Sequence, residues 1–194
     1  MKKWKEILFF GALWGLAEAT LGFVLHVSAA SIAGFLMFPV GFAIMWQARE
    51  RTDSAYAPIQ VATVAAGIKL VNLFFAPMWI TVFNPAAAII LEGLFVAVLL
   101  RKGNRLSPSS CLLATYGWRL GYLAILLIQL YFGFTLRLLQ GGMASVLPFV
   151  TIDAGVNALL IFLIAKTSRR LGFEMKPGWV GATLAAAVIV TVVI

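Results

Sequence analysis

The chain has 194 residues, of which 62% are hydrophobic and only 11% charged, with a formal net charge of +8. Soluble domains carry about a quarter charged residues, so this composition excludes an ordinary water-soluble fold and indicates a single integral membrane domain over 1–194. The bases lie between apolar spans and not along one amphipathic face, which argues against a nucleic-acid partner, and the one cysteine, Cys111, excludes an intrachain disulfide or a multi-cysteine metal site.

Lys2, Lys3 and Lys5 precede the first apolar segment, 10–26, which has the length of a membrane span yet holds Glu18 near its middle. Gly11, Gly15 and Ala19 recur at four-residue spacing and form one smooth stripe, along which a neighbouring helix backbone can approach closely. Glu18 follows about 100° around the helix from that stripe, so it can point into a bundle while the stripe faces a partner. A basic start before an apolar run resembles a signal peptide, with Val27-Ser28-Ala29 as the cleavage site, but a run of about 20 residues interrupted by Glu18 suits a retained span better.

A second apolar run, about 29–47, follows almost without a loop and predicts a tight hairpin. Beyond the charged loop Arg49-Glu50-Arg51-Thr52-Asp53, a third span over about 57–76 contains Lys69 and Asn72 and is closed by Pro77. The fourth, about 83–100, opens with the turn Asn84-Pro85 and contains Glu92. After the loop at 101–108, a fifth span over about 110–134 holds Arg119 and Gln129. Arg137 and Gly141-Gly142 mark the next loop, and a sixth span, about 146–165, holds Asp153 and Asn157. Lys166, Arg169, Arg170 and Lys176 precede a last apolar run of about 17 residues, the shortest and the one that leaves six or seven crossings open.

The fold class predicted is an all-α polytopic transmembrane bundle with a cytoplasmic N-terminus. That orientation puts Lys2, Lys3, Lys5, Arg49, Arg51, Arg101, Lys102, Arg105, Lys166, Arg169, Arg170 and Lys176 inside and leaves only Arg137 in an external loop, a strong positive-inside bias.

Ionisable groups inside a span cost several kcal/mol unless paired, hydrated or neutralised. Glu18, Glu92, Asp153, Lys69 and Arg119 are therefore candidates for function, joined by Asn72 and Asn157. At about 1.5 Å per residue, Glu18, Glu92 and Arg119 fall near the bilayer midplane, while Lys69, Asn72, Asp153 and Asn157 fall there or further out. The inner third is apolar, which predicts a pocket closed to the cytoplasm and open to the outside. The same side chains could instead pair as interhelical struts that touch no ligand. Arg119 could meet a carboxylate of the chain or an anionic group of a solute, and Trp14 and Trp118 could stack on an aromatic ligand or simply pack. His26, the only histidine, cannot build a histidine-rich metal site, and no metal or cofactor is expected. The chain contains no Walker A, His-Glu-x-x-His or Gly-x-Ser-x-Gly motif, so no catalytic residue and no internal energy source is expected.

With glycine and alanine at four-residue spacing on the first span and outward-placed polar groups, the chain resembles the substrate-binding S-components of energy-coupling factor transporters. These are bacterial vitamin-capture proteins, generally of six helices, whose first helix often docks on a shared transmembrane coupling subunit through an Ala-x-x-x-Ala-type motif. The resemblance implies that Gly11, Gly15 and Ala19 dock a transmembrane partner carrying ATPases. It also implies that Glu18, Lys69, Asn72, Glu92, Arg119, Asp153 and Asn157 line the site for a small water-soluble nutrient, such as a vitamin or vitamin precursor. The protein would then be no enzyme and would reside, multi-pass among lipid, in a bacterial or archaeal plasma membrane. Three acids against two bases favour a cationic or neutral solute. The alternative is a stand-alone transporter driven by protons passing through Glu18, Glu92 or Asp153.

Overall fold

The computed structural model describes residues 2–76, 78–101, 106–168 and 177–193, with the side chains at 2, 23, 25–34, 137 and 177 outside that description. Pro77, the loop bases Lys102, Arg105, Arg169, Arg170 and Lys176, and the side chains of His26 and Arg137 thus lie outside the described residues.

Among the described residues every regular element is helical: α1 (Lys2–Ala17), a π-helical segment (Glu18–Gly22), α2 (Phe23–Thr52), α3 (Ala57–Leu70) with a 3-10 turn (Val71–Phe74), α4 (Trp79–Leu100), α5 (Pro108–Tyr131), α6 (Arg137–Gln140), α7 (Met143–Val150), α8 (Ile152–Thr167) and α9 (Pro177–Val193). Among the described residues four helical stretches are long and apolar enough to cross a membrane, Ala57–Phe74, Trp79–Leu100, Pro108–Tyr131 and Met143–Thr167, with Gly178–Val193 a shorter apolar helix. The chain is a multi-pass membrane protein by the length and composition of these helices.

Local chemistry sets the helix ends. Ser107 caps α5, its hydroxyl accepting from the Ser110 amide at 3.1 Å, with Pro108 in the first turn, where a missing N–H costs nothing. Asp53 ends α2 in the left-handed region at φ 48°, a conformation aspartate tolerates, and its amide donates to Arg49 O at 2.9 Å.

Three boundaries differ from the sequence expectation. Asn84-Pro85 does not open the fourth span, because α4 already begins at Trp79 and carries Pro85 inside it. Proline is tolerated within membrane helices where side chains and neighbouring helices satisfy the freed carbonyl. The sixth span is broken at Thr151 into α7 and α8, which puts Asp153 in the first turn of α8, where the helix dipole favours an acid. No loop separates the first two apolar runs, since the π-helical segment leads directly into α2. The helical path nevertheless doubles back. A Cβ on Gly41 would lie 2.7 Å from the Trp14 ring, and Arg51 meets Glu6 at 2.6 Å. A straight helix would hold Trp14 and Gly41 roughly 40 Å apart.

Helix α2 touches α3 and α8, α3 touches α4, α4 touches α5 and α5 touches α8, which closes a ring. Helix α1 packs on α2 and α3 and is covered on another side by α9. The glycine stripe works within this arrangement. A Cβ on Gly11 would lie 2.5 Å from Val64 Cβ and 3.0 Å from Val61 O, and one on Gly15 would lie 2.9 Å from Ile68 Cδ1. Gly11 and Gly15 are thus turned to α3 of the same chain, and Ala19 is buried at 5% exposure, a correction to the expectation that this stripe faces another protein. The face that permits the closest backbone approach has been taken by the chain's own next helix. At the end of the bundle where the N-terminus lies, Ile7, Phe10, Phe42, Met45, Val96 and Leu100 form a continuous apolar core.

Candidate functional site

Above that core the ring carries a polar layer. Glu92 on α4 is 5% exposed and Arg119 on α5 is fully buried. The register puts them level, because Gly117 packs against the Phe95 ring and Gly121 against Leu91, on either side of both residues. Glu92 lies within electrostatic reach of Arg119, Tyr122 and Glu18, and Lys69 acts in turn on Glu18. Asp153 acts on Arg119 from α8. The five ionic side chains expected inside the spans therefore gather in one connected neighbourhood formed by the π-helical segment, α3, α4, α5 and α8.

They are not locked to one another. Among the described residues the ion pairs within 4 Å are Arg49–Asp53 and Arg51–Glu6, both away from this layer. Arg119 Nη1 donates to Thr115 O at 3.3 Å, while its Nε and Nη2 have no partner among the described residues. Its guanidinium carbon lies 4.4 Å from the Trp118 ring centroid and 5.4 Å from that of Phe149, so cation–π attraction offsets part of the cost of burial. Asn157, one turn beyond Asp153 on α8, is fully buried, and neither its Oδ1 nor its Nδ2 has a partner among the described residues. Buried polar groups are nearly always hydrogen-bonded, so each orphan calls for a specific explanation.

The remaining expected residues fall nearby or apart. Glu18 opens the π-helical segment, an irregularity often found at functional sites, and the indole N–H of Trp14 lies near its carboxylate but meets strict hydrogen-bond geometry with no partner among the described residues. Lys69 lies in the last turn of α3 and Asn72 in the 3-10 turn after it, with Asn72 Oδ1 buried and without a partner among the described residues. Gln129 donates to Asn84 Oδ1 at 2.7 Å, which ties α5 to α4 toward the ends of these helices remote from the N-terminus.

Trp118 stands among the sequence candidates for stacking, but the aromatic side chains around it do not. Phe38 stacks tilted on Trp118 at 5.4 Å, Phe149 meets Trp118 edge-on at 5.9 Å, and Tyr122 lies 6.3 Å from Phe149. Tyr122, four residues after Trp118 and so on its helix face, left a readable signal. Phe38 and Phe149 left none among the chain's 15 phenylalanines. Glu6, which follows the basic start of the chain, is buried on α1 at 4% exposure in its pair with Arg51.

Comparison with protein-family models, with curated proteins and with solved structures finds no match to this chain.

Proposed function

We propose that this protein is a membrane-embedded capture subunit that binds a small water-soluble solute in the polar layer bounded by Glu18, Glu92, Arg119, Asp153 and Asn157, with Lys69 and Asn72 beside it. One observation carries the reading: among the described residues, ionic groups brought together from separate helices stop short of pairing, and two fully buried side chains of this layer keep hydrogen-bonding atoms without a partner. A bundle that used these groups only as struts would have closed them, since leaving them open costs more than forming the pairs. The apolar core between this layer and the N-terminal end supports a site blocked toward the cytoplasm, on the positive-inside orientation. The layer binds and does not catalyse, and the protein resides in a bacterial or archaeal plasma membrane. Release to the cytoplasm is driven by a transmembrane partner with ATPases, as the resemblance to S-components of energy-coupling factor transporters implies. That partner docks on a face other than the Gly11–Gly15 seam, which α3 occupies.

Native mass spectrometry of the purified protein, with and without Glu92→Gln, tests the reading. The expected result is a bound small molecule that is lost from the variant while the protein stays folded, and retention of that molecule would remove Glu92 from the site. Uptake by the chain alone in liposomes that follows a pH gradient would replace the capture subunit with a proton-coupled transporter.

A further inference from the structure

Arg119 carries its five N–H bonds on a rigid plane. One nitrogen, Nη1, is held by Thr115 O at 3.3 Å, and the plane is flanked by Trp118 at 4.4 Å and Phe149 at 5.4 Å. The two nitrogens left without a partner, Nε and Nη2, are those that share one edge of the guanidinium. Their parallel N–H bonds form the fork that meets a carboxylate with two hydrogen bonds. The structure assigns this empty fork to the solute: Arg119 binds a carboxylate group of the captured molecule through Nε and Nη2, with the body of that molecule lying along the wall of Trp118, Phe149 and Tyr122. This rests on the capture reading above and names the class of molecule captured.

The chain's own carboxylates are the competing occupants. Glu92 and Asp153 both act on Arg119 electrostatically, yet neither comes within 4 Å of it. They keep a buried cation from being isolated and leave its binding edge open. The tether to Thr115 O and the two rings hold the fork in place before anything arrives, which lowers the ordering cost of binding. Lysine in the same place would keep the charge but lose the paired geometry. The assignment also reverses the preference for a cation drawn from counting acids and bases, because local geometry at Arg119 decides what meets it, not the summed charge of the layer.

The test titrates the purified protein in detergent with benzoate, benzamide and benzylammonium at constant ionic strength, read by tryptophan fluorescence and by the thermal unfolding midpoint. Benzoate is expected to perturb the fluorescence and raise the midpoint, with benzamide and benzylammonium weaker. In Arg119→Lys the benzoate affinity is expected to fall about tenfold or more, the scale of losing one charge-assisted hydrogen bond. Should that variant fail to fold, the contrast between benzoate and benzamide on the wild-type protein decides the matter alone. Equal responses to the three probes, or an undiminished benzoate response in Arg119→Lys, overturn the carboxylate and leave the binding layer standing, and silence from all three also overturns it. A co-purified solute without an acid group overturns the carboxylate while upholding the capture reading, whereas that reading fails when the chain alone takes up solute into liposomes along a pH gradient.

Discussion

Arg51 holds the Glu6 carboxylate with Nε at 2.6 Å and Nη2 at 2.9 Å, and the two side chains are 8% and 5% exposed. Removing one partner strands the other in a dry environment, so Arg51→Met is expected to destabilise the protein by about 3 kcal/mol or more. The double variant Glu6→Leu/Arg51→Met should recover most of that loss. Unfolding midpoints of the wild type, both single variants and the double in detergent check this, and additive losses would show that the pair is not coupled. Asn157 presents the opposite balance, since its buried amide has no partner among the described residues. Asn157→Leu, close in volume and free of polar atoms, is expected to stabilise the empty protein by about 1 kcal/mol or more while weakening solute binding. A lower unfolding midpoint would mean that the amide has a structural partner. The ionic residues of the layer could be picked from the sequence because a charge inside an apolar span stands out. Glu6 could not, because next to Lys3 and Lys5 it looks like any acid at a helix start, and only the return of α2 buries it.

Helices in a membrane approach closely where small residues face each other, and the glycines of this chain divide sharply by what lies opposite. A side chain on Gly11 would run into Val64 Cβ at 2.5 Å and the Val61 carbonyl at 3.0 Å, whereas a Cβ on Gly155 would meet nothing within 4 Å. Gly11→Leu is therefore expected to separate α1 from α3 and abolish monodisperse protein in size-exclusion chromatography. Gly155→Ala should be neutral or stabilising by up to about 1 kcal/mol, because it removes backbone freedom from the unfolded chain. A well-behaved Gly11→Leu protein would mean that α1 does not pack on α3 through this seam. Close approach along the first helix was legible from the four-residue spacing, but its partner was not, since a stripe of small residues suits any helix backbone. The break at Thr151 was also hidden: Pro148 lies one turn before it within a run whose hydropathy is continuous.

The ring of α2, α3, α4, α5 and α8 places the polar layer above an apolar core, and the expected orientation of the whole bundle rests on the bases that flank its spans. With the N-terminus inside, α9 runs outward, so alkaline phosphatase fused after Ile194 is expected to be active and a fluorescent protein fused there to be dark. The reverse pattern would show either that α9 does not cross or that the orientation is inverted. That the chain holds several apolar helices long enough to span a membrane, and roughly where they lie, was legible in the sequence itself, because hydropathy and helical rise are properties read along one dimension. Only the tertiary structure decided which residues meet, for a physical reason. Helices that are apolar around most of their circumference carry little pattern to say which side turns inward, so the rotation of each helix and the doubling back of α2 come from packing against distant parts of the chain. That packing brings Glu92, Arg119 and Asp153 from separate helices to one level and sets Phe149 and Trp118 around a guanidinium whose open edge no spacing in the sequence announces.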